Sequence, residues 1–148
     1  MTSFLCTHCD TIKEMLPRAL VVEDDRKTRD ALRAIIEGEG FAVDTADDGE
    51  EAIARLSRGP YALILLDIVL PKISGTGVME HLRTTNAAAL ENVVVVTGVE
   101  PADISRLFPA VNSTLCKPVL PARLRSVARR FLLAFQTSNS SQGNSSVA

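Results

Sequence analysis

The chain has 148 residues, of which 46% are hydrophobic and 23% are charged, a composition that is typical of one globular domain and excludes a disordered chain. A formal net charge of −2 and an isoelectric point near 5.7 give no electrostatic reason to expect nucleic acid or an anionic membrane as a partner. No apolar run approaches the roughly 20 residues that span a bilayer, and the first residues show no signal-peptide pattern, so we expect a cytoplasmic protein.

The segment CTHC at 6–9 is the first motif along the chain. Cys6 and Cys9 have CxxC spacing with His8 between them, a pattern that raises zinc binding or redox chemistry. Only Cys116 remains among the cysteines, and no second Cys/His pair completes a tetrahedral site. We therefore expect CTHC to be part of a frayed N-terminal segment.

Five short apolar runs have the length and composition of β-strands. They are ALVV at 19–22, FAVDTA at 41–46, YALILL at 61–66, VVVVT at 93–97 and STLC at 113–116. The continuous runs at 61–66 and 93–97 are typical of strands that are buried on both faces, as in a parallel sheet.

Helical patterns lie between and after these strands. Leu32, Ile35 and Ile36 form an apolar stripe whose helix we expect to end at Gly38 or Gly40. The other helices are predicted at 50–57, at 76–83, over at most about eight residues between Pro101 and Pro109, and along the stripe from Leu124 to Phe135.

Alternating strands and helices predict an α/β fold in which helices cover both faces of an open parallel sheet. We expect an N-terminal extension at 1–17, a folded domain at 18–135 and a flexible tail rich in Ser and Asn at 136–148. In such a sheet, functional residues gather beyond the carboxyl ends of the strands.

Polar residues follow the ends of four predicted strands. Glu23 and Asp24 follow the first strand, and Asp67 ends the third. Thr97 ends the fourth strand, and Lys117 follows the fifth. All of these residues are therefore expected at one edge of the sheet, which a chance distribution of loop charges would rarely produce.

Clustered carboxylates need compensation, because two like charges about 4 Å apart repel by roughly 4 kcal/mol at an effective dielectric constant of 20. Mg²⁺ removes that cost and draws the oxygens of a phosphoryl donor towards the site. Asp67 is then placed to attack phosphorus as a nucleophile, Lys117 to supply positive charge and Thr97 to donate a hydrogen bond. For Asp25, a metal ligand, a loop carboxylate and a first-turn helix residue all remain open.

Four segments together resemble the receiver domain of two-component response regulators over roughly 18–135. These segments are LVVEDD, LILLDIVLPKISG, VVVVTG and CKP, in that order. The resemblance implies a flavodoxin-like, doubly wound sheet of five parallel strands in the order 2-1-3-4-5, and a loop after the third strand that contains Pro71 and Gly75.

The resemblance also implies roles for individual residues. Asp67 would be the phosphoacceptor, and Thr97 and Lys117 would assist phosphoryl transfer. Glu23 and Asp24 would be the acidic pair that holds Mg²⁺, with Asp24 the more direct ligand, and Mn²⁺ as a substitute ion. The backbone carbonyl of Val69 would complete the protein ligands.

A signalling switch of this kind implies several partners. The phosphoryl donor would be a histidine kinase or a histidine phosphotransfer protein, and the output a downstream protein effector. We expect no nucleic acid, no membrane and a monomer or weak homodimer, either as a stand-alone receiver or as part of a longer protein. The family often has an aromatic residue where this chain has Thr114, so its readout is expected to differ.

Two other functions compete with this interpretation. A receiver-like module that binds partners without phosphorylation would not require the full acidic set. A Mg²⁺-dependent phosphohydrolase with an aspartyl nucleophile commonly has a second Asp two residues later, where this chain has Val69. Val69 and Val99 offer no hydrogen-bonding group to a hydrolytic water, so we expect slow self-dephosphorylation.

Overall fold

A computed structural model describes residues 16–98, 106, 108–111 and 113–147, with side chains up to residue 138. The strands are β1 (Arg18–Val22), β2 (Ala42–Ala46), β3 (Leu63–Asp67), β4 (Val93–Thr97) and β5 (Ser113–Cys116). All pairings are parallel, and the order is β2-β1-β3-β4-β5. The predicted α/β class and strand order are confirmed.

Short polar side chains cap the first three α-helices. They are α1 (Arg26–Gly38), α2 (Gly49–Leu56), α3 (Gly75–Thr85) and α4 (Pro121–Val147), with a 3₁₀ helix at Ala87–Asn92. The side chains of Asp25, Asp48 and Ser74 each accept a hydrogen bond from a backbone N–H in the first turn of α1, α2 and α3 respectively. Within the described part of the chain, no helix is both long and apolar enough to cross a membrane.

The sheet has a hydrophobic core on each face. Successive residues of a strand point to opposite faces, so Leu20 packs on the side of α2 and α3, whereas Val21 packs on the side of α1 and α4. Every residue of β3 and β4 is buried. This double burial explains the unbroken apolar runs that the sequence shows there.

Helix α4 is longer than the sequence predicts. It begins at Pro121, a residue suited to a first helical position, and it continues to Val147. The structure thus places helix where a flexible tail is expected from 136. Extending an existing helix avoids the cost of nucleation and forms one further hydrogen bond for each residue added.

The division of the chain at 18 and 135 stays a prediction. CTHC lies outside the described residues, and the fourth crossover helix lies largely outside them.

A small polar cluster lies at the end of the sheet opposite to Asp67. Tyr61 is buried, and its hydroxyl donates a hydrogen bond of 2.7 Å to Asp44 Oδ2. Arg18 pairs with the same carboxylate, and its guanidinium carbon lies 5.2 Å from the centre of the Tyr61 ring. Burial and the Asp44 contact raise the pKa of Tyr61 to about 12. Burial raises the pKa of Asp44, but hydrogen bonds from Tyr61 and Arg18 outweigh it and lower that pKa below its ordinary value.

Tyr61→Phe is expected to lower the free energy of unfolding by about 1 kcal/mol at neutral pH, because Asp44 loses a buried donor. A carboxylate with a lowered pKa stabilises the fold above its unfolded pKa, and that contribution is lost as the pH falls through the folded value. The difference between the two proteins should therefore shrink below about pH 4 in urea titrations. Equal losses for Tyr61→Phe in wild-type and Asp44→Asn backgrounds would contradict the coupling.

Candidate functional site

The structure brings the predicted polar residues together at the carboxyl edge of the sheet. One carboxylate oxygen from each of Glu23, Asp24 and Asp67 lies within 4.8 Å of the other two. Lys117 Nζ lies 2.9 Å from Asp67 Oδ2 and 3.0 Å from Glu23 Oε2. Thr97 is buried at the end of β4, and its carbonyl accepts a hydrogen bond of 3.0 Å from the Lys117 N–H.

The carboxylate of Asp67 is buried yet fully engaged. Its side chain follows four aliphatic residues of β3, and the residue is only 3% exposed. Oδ2 accepts a hydrogen bond from Lys117, and Oδ1 accepts one of 3.2 Å from the Val69 N–H. A buried charge is tolerated when such partners replace water, so the strand can end in a carboxylate without unfolding the edge of the sheet.

The charges at this edge do not balance. Glu23, Asp24, Asp67 and Lys117 together carry three negative charges and one positive charge, a formal sum of −2. Burial raises the pKa of Glu23, and the neighbouring Asp67 carboxylate raises it further. The contact with Lys117 lowers that pKa but does not cancel the increase. Burial lowers the pKa of Lys117, but Asp67 and Glu23 outweigh it and raise that pKa, which keeps the amine charged.

The donor set fits a divalent cation. Glu23 Oε2 is buried and has no partner with hydrogen-bond geometry, although Lys117 Nζ lies close to it. The candidate ligand atoms are carboxylate oxygens, which Mg²⁺ and Mn²⁺ prefer, and a charge of +2 would offset the excess. The carbonyl of Val69, in the loop after β3, stays a predicted fourth ligand.

Asp25 has a different task from its two acidic neighbours. Its Oδ2 accepts hydrogen bonds from the N–H and the hydroxyl of Thr28, at 2.9 and 2.7 Å. These bonds lower the pKa of Asp25. Asp25 is thus the N-cap of α1, at the boundary between the loop and the first turn of the helix.

The loop after β3 is fixed against α2 and β3. The Gly75 N–H donates to Ile68 O at 2.8 Å, and the Gly49 N–H approaches Pro71 O at 3.4 Å. Lys72 has a backbone φ of 66°, and its Nζ lies 3.3 Å from Asp48 Oδ2. The sequence analysis does not predict the contacts of Gly49 with Pro71 or of Lys72 with Asp48. The sequence signal for the contact of Gly49 is the glycine that directly follows the capping Asp48.

Curated relatives share this domain. Transcriptional regulatory protein TcrA of Mycobacterium tuberculosis is 35% identical over 117 residues, which cover 76% of this chain and 46% of TcrA. Transcriptional regulatory protein ResD of Bacillus subtilis is 32% identical, over 82% of this chain and 50% of ResD. The chain spans about half or less of the length of these relatives.

These relatives correct the expectation about nucleic acid. They are named transcriptional regulatory proteins. The prediction, made from composition, that nucleic acid is not a partner is therefore wrong. A net charge of −2 describes only the residues that carry it. It does not report on what a protein that contains this domain binds.

Solved structures show the same architecture. A CheY-like receiver domain protein from Methanospirillum hungatei JF-1 matches with a TM-score of 0.73 and 28% identity, over 83% of this chain and 98% of that chain. The response regulator TrrA of Thermotoga maritima, solved with Mg²⁺ and BeF, matches with a TM-score of 0.69 and 28% identity, over 79% of this chain and 100% of that chain. The family model described as the response regulator receiver domain matches residues 19–129. The chain therefore belongs to the receiver domain family of two-component response regulators.

Proposed function

We propose that this receiver domain is a phosphorylation-dependent switch in which Asp67 accepts the phosphoryl group. The observation that carries the proposal is the position of Asp67, whose carboxylate lies 2.9 Å from the Lys117 ammonium and within 4.8 Å of an oxygen of each of two further carboxylates. The donor is a phosphohistidine of a histidine kinase or of a histidine phosphotransfer protein. The domain itself supplies the catalytic groups for the transfer.

The transfer requires the residues at this edge to do three things. A carboxylate oxygen of Asp67 attacks phosphorus, and the P–N bond of the donor breaks with its electron pair left on the imidazole nitrogen, which takes a proton. Lys117 stabilises negative charge on the phosphoryl oxygens, and the Thr97 hydroxyl donates a hydrogen bond to one of them. The neighbouring strands hold all three groups in place, so positioning supplies much of the rate.

Mg²⁺, or Mn²⁺ in its place, would be held by Glu23, Asp24, Asp67 and the carbonyl of Val69. When bound, the ion neutralises charge on the carboxylates and on the phosphoryl oxygens. The clustered carboxylates support this assignment, and so does Glu23 Oε2, which is buried and accepts no hydrogen bond of good geometry although it lies near Lys117. The relative TrrA, which was solved with Mg²⁺ and BeF, supports it as well.

Output through a protein–protein interaction completes the proposal, for a stand-alone receiver or for one within a longer cytoplasmic protein. Thr114 lies half-buried on β5, where the family often has an aromatic residue. A threonine has no ring to turn inward, so the response to phosphate at Thr97 would be transmitted by smaller movements of β4 and β5.

Incubation with acetyl phosphate and Mg²⁺, followed by intact mass spectrometry, tests the proposal. Wild-type protein should gain one phosphoryl group, and chelation of Mg²⁺ with EDTA should prevent the gain. A receiver-like module that binds partners without phosphorylation would gain nothing. A phosphohydrolase would instead release many equivalents of phosphate, although Val69 occupies the position of its usual acid/base residue.

The phosphorylated protein is expected to lose its phosphoryl group slowly, over minutes or longer. Val69, two residues after Asp67, is 71% exposed, and its side chain cannot hydrogen-bond to a hydrolytic water. Val99, expected near the same path, lies outside the described residues. Val69→Asn should shorten the lifetime, and the apolar control Val69→Ala should not, as measured by the decay of the phosphorylated mass. A lifetime of seconds for the wild type with Mg²⁺ would contradict this expectation.

A further inference from the structure

Arg29 binds the backbone of the acidic segment that follows β1. Its Nη1 donates to Glu23 O at 3.0 Å and approaches Asp24 O at 3.4 Å. Its own backbone N–H donates to Asp25 O at 2.8 Å. Three successive carbonyls of this segment therefore accept from one residue of the first turn of α1.

The other polar groups of this segment are also held. The Glu23 N–H donates to Ala46 O at 3.1 Å, which ties the segment to the end of β2. The Asp25 N–H donates to Glu23 Oε1 at 3.3 Å, which leaves Oε2 as the oxygen turned towards Lys117. These contacts hold the peptide planes at both ends of the segment, and the peptide planes set the directions in which the Cα–Cβ bonds of Glu23 and Asp24 leave the backbone.

We propose that Arg29 is a positioning residue for the metal ligands Glu23 and Asp24, an inference that rests on the proposed function. Arg29 fixes the peptide planes of the two ligands and makes no contact with an ion itself. Groups that orient metal ligands typically contribute 10–100-fold to metal affinity. Removal of the Arg29 guanidinium should therefore weaken Mg²⁺ binding.

The sign of the effect separates positioning from charge. A guanidinium near a cation site repels the cation, so removal of Arg29 would strengthen Mg²⁺ binding if the charge alone mattered. Loss of positioning acts in the opposite direction. A purely structural residue would change the thermal stability and leave the Mg²⁺ affinity of the folded protein unchanged.

Calorimetric titration of the intact chain with MgCl₂, without a phosphoryl donor, tests the proposal. We expect Arg29→Met to weaken Mg²⁺ binding by about tenfold. The matched control is Arg33→Met, one turn further along α1, where the arginine forms an exposed ion pair with Glu37. That control removes the same charge and should leave the affinity within about twofold of the wild type.

The outcomes distinguish this proposal from the one on which it rests. Unchanged or tighter binding by Arg29→Met, with a normal wild-type titration, overturns the role of Arg29 alone. Equal weakening by Arg33→Met also overturns it, because the effect would then not depend on the contacts of Arg29 with the carbonyls of Glu23 and Asp24. A wild type that is phosphorylated but binds no Mg²⁺, or that does neither, overturns the metal assignment itself.

Discussion

Asp67→Asn is expected to abolish the mass gain from acetyl phosphate while the domain stays folded. The asparagine has almost the same shape, but its amide oxygen is neutral and is a far weaker nucleophile than a carboxylate. Lys117 keeps its second partner, because Nζ also lies 3.0 Å from Glu23 Oε2. The loss should therefore be complete in activity and small in stability.

Asp47→Asn is the matched control for Asp67→Asn. Asp47 is exposed directly after β2, and the substitution removes the same charge from the neighbourhood of the same edge of the sheet. Intact mass spectrometry should show a normal gain for Asp47→Asn. A phosphoryl group that still appears on Asp67→Asn would mean that another residue is the acceptor, and the site assignment would then be wrong.

The sequence predicts the fold and the composition of the site because both follow from local patterns. Apolar runs such as 61–66 indicate buried parallel strands, and the carboxyl ends of parallel strands must meet at one edge. The strand positions and the strand order are therefore enough to predict that Glu23, Asp67 and Lys117 lie close together. The structure confirms the strand order, which the family resemblance implies and the local patterns do not.

Contacts through space are what the sequence does not reveal. Asp24 and Asp25 are adjacent and chemically identical, and only the hydrogen bond that the Thr28 N–H donates to Asp25 Oδ2 shows which of them caps α1. Arg29 looks like any charged residue of a helix until its guanidinium is seen on two carbonyls. The extension of α4 past Phe135 was missed because Ser and Asn have low helix propensity, which is a weak predictor near the end of an established helix.

Gly75→Ala is expected to cause the largest loss of stability among the substitutions considered. A Cβ at Gly75 would lie 2.3 Å from Asp67 O and 2.6 Å from Ile68 Cα, both of which are backbone atoms that cannot rotate away. Relief requires β3 or the start of α3 to shift. We expect a loss of about 3 kcal/mol in the free energy of unfolding, measured by urea titration.

Two other glycines make this prediction specific. At Gly77 the added Cβ would meet Ile73 Cγ2 at 2.7 Å, and that side chain can move, so the loss should be smaller. At Gly38, the last residue of α1, the added Cβ meets nothing within 4 Å, and alanine should stabilise the protein by up to about 1 kcal/mol. The predicted order of stability is therefore Gly38→Ala above wild type, then Gly77→Ala, then Gly75→Ala.

The same substitution connects the packing of the loop to the chemistry of Asp67. The atom that the new Cβ would strike is the carbonyl oxygen of Asp67 itself, so relief of the clash moves the backbone of the proposed acceptor. The folded fraction of Gly75→Ala should then accept phosphate more slowly than Gly77→Ala, in the acetyl phosphate assay at a temperature where both are folded. Wild-type stability and rate in Gly75→Ala would show that the loop adjusts freely, and that contact with Gly75 does not fix the position of Asp67.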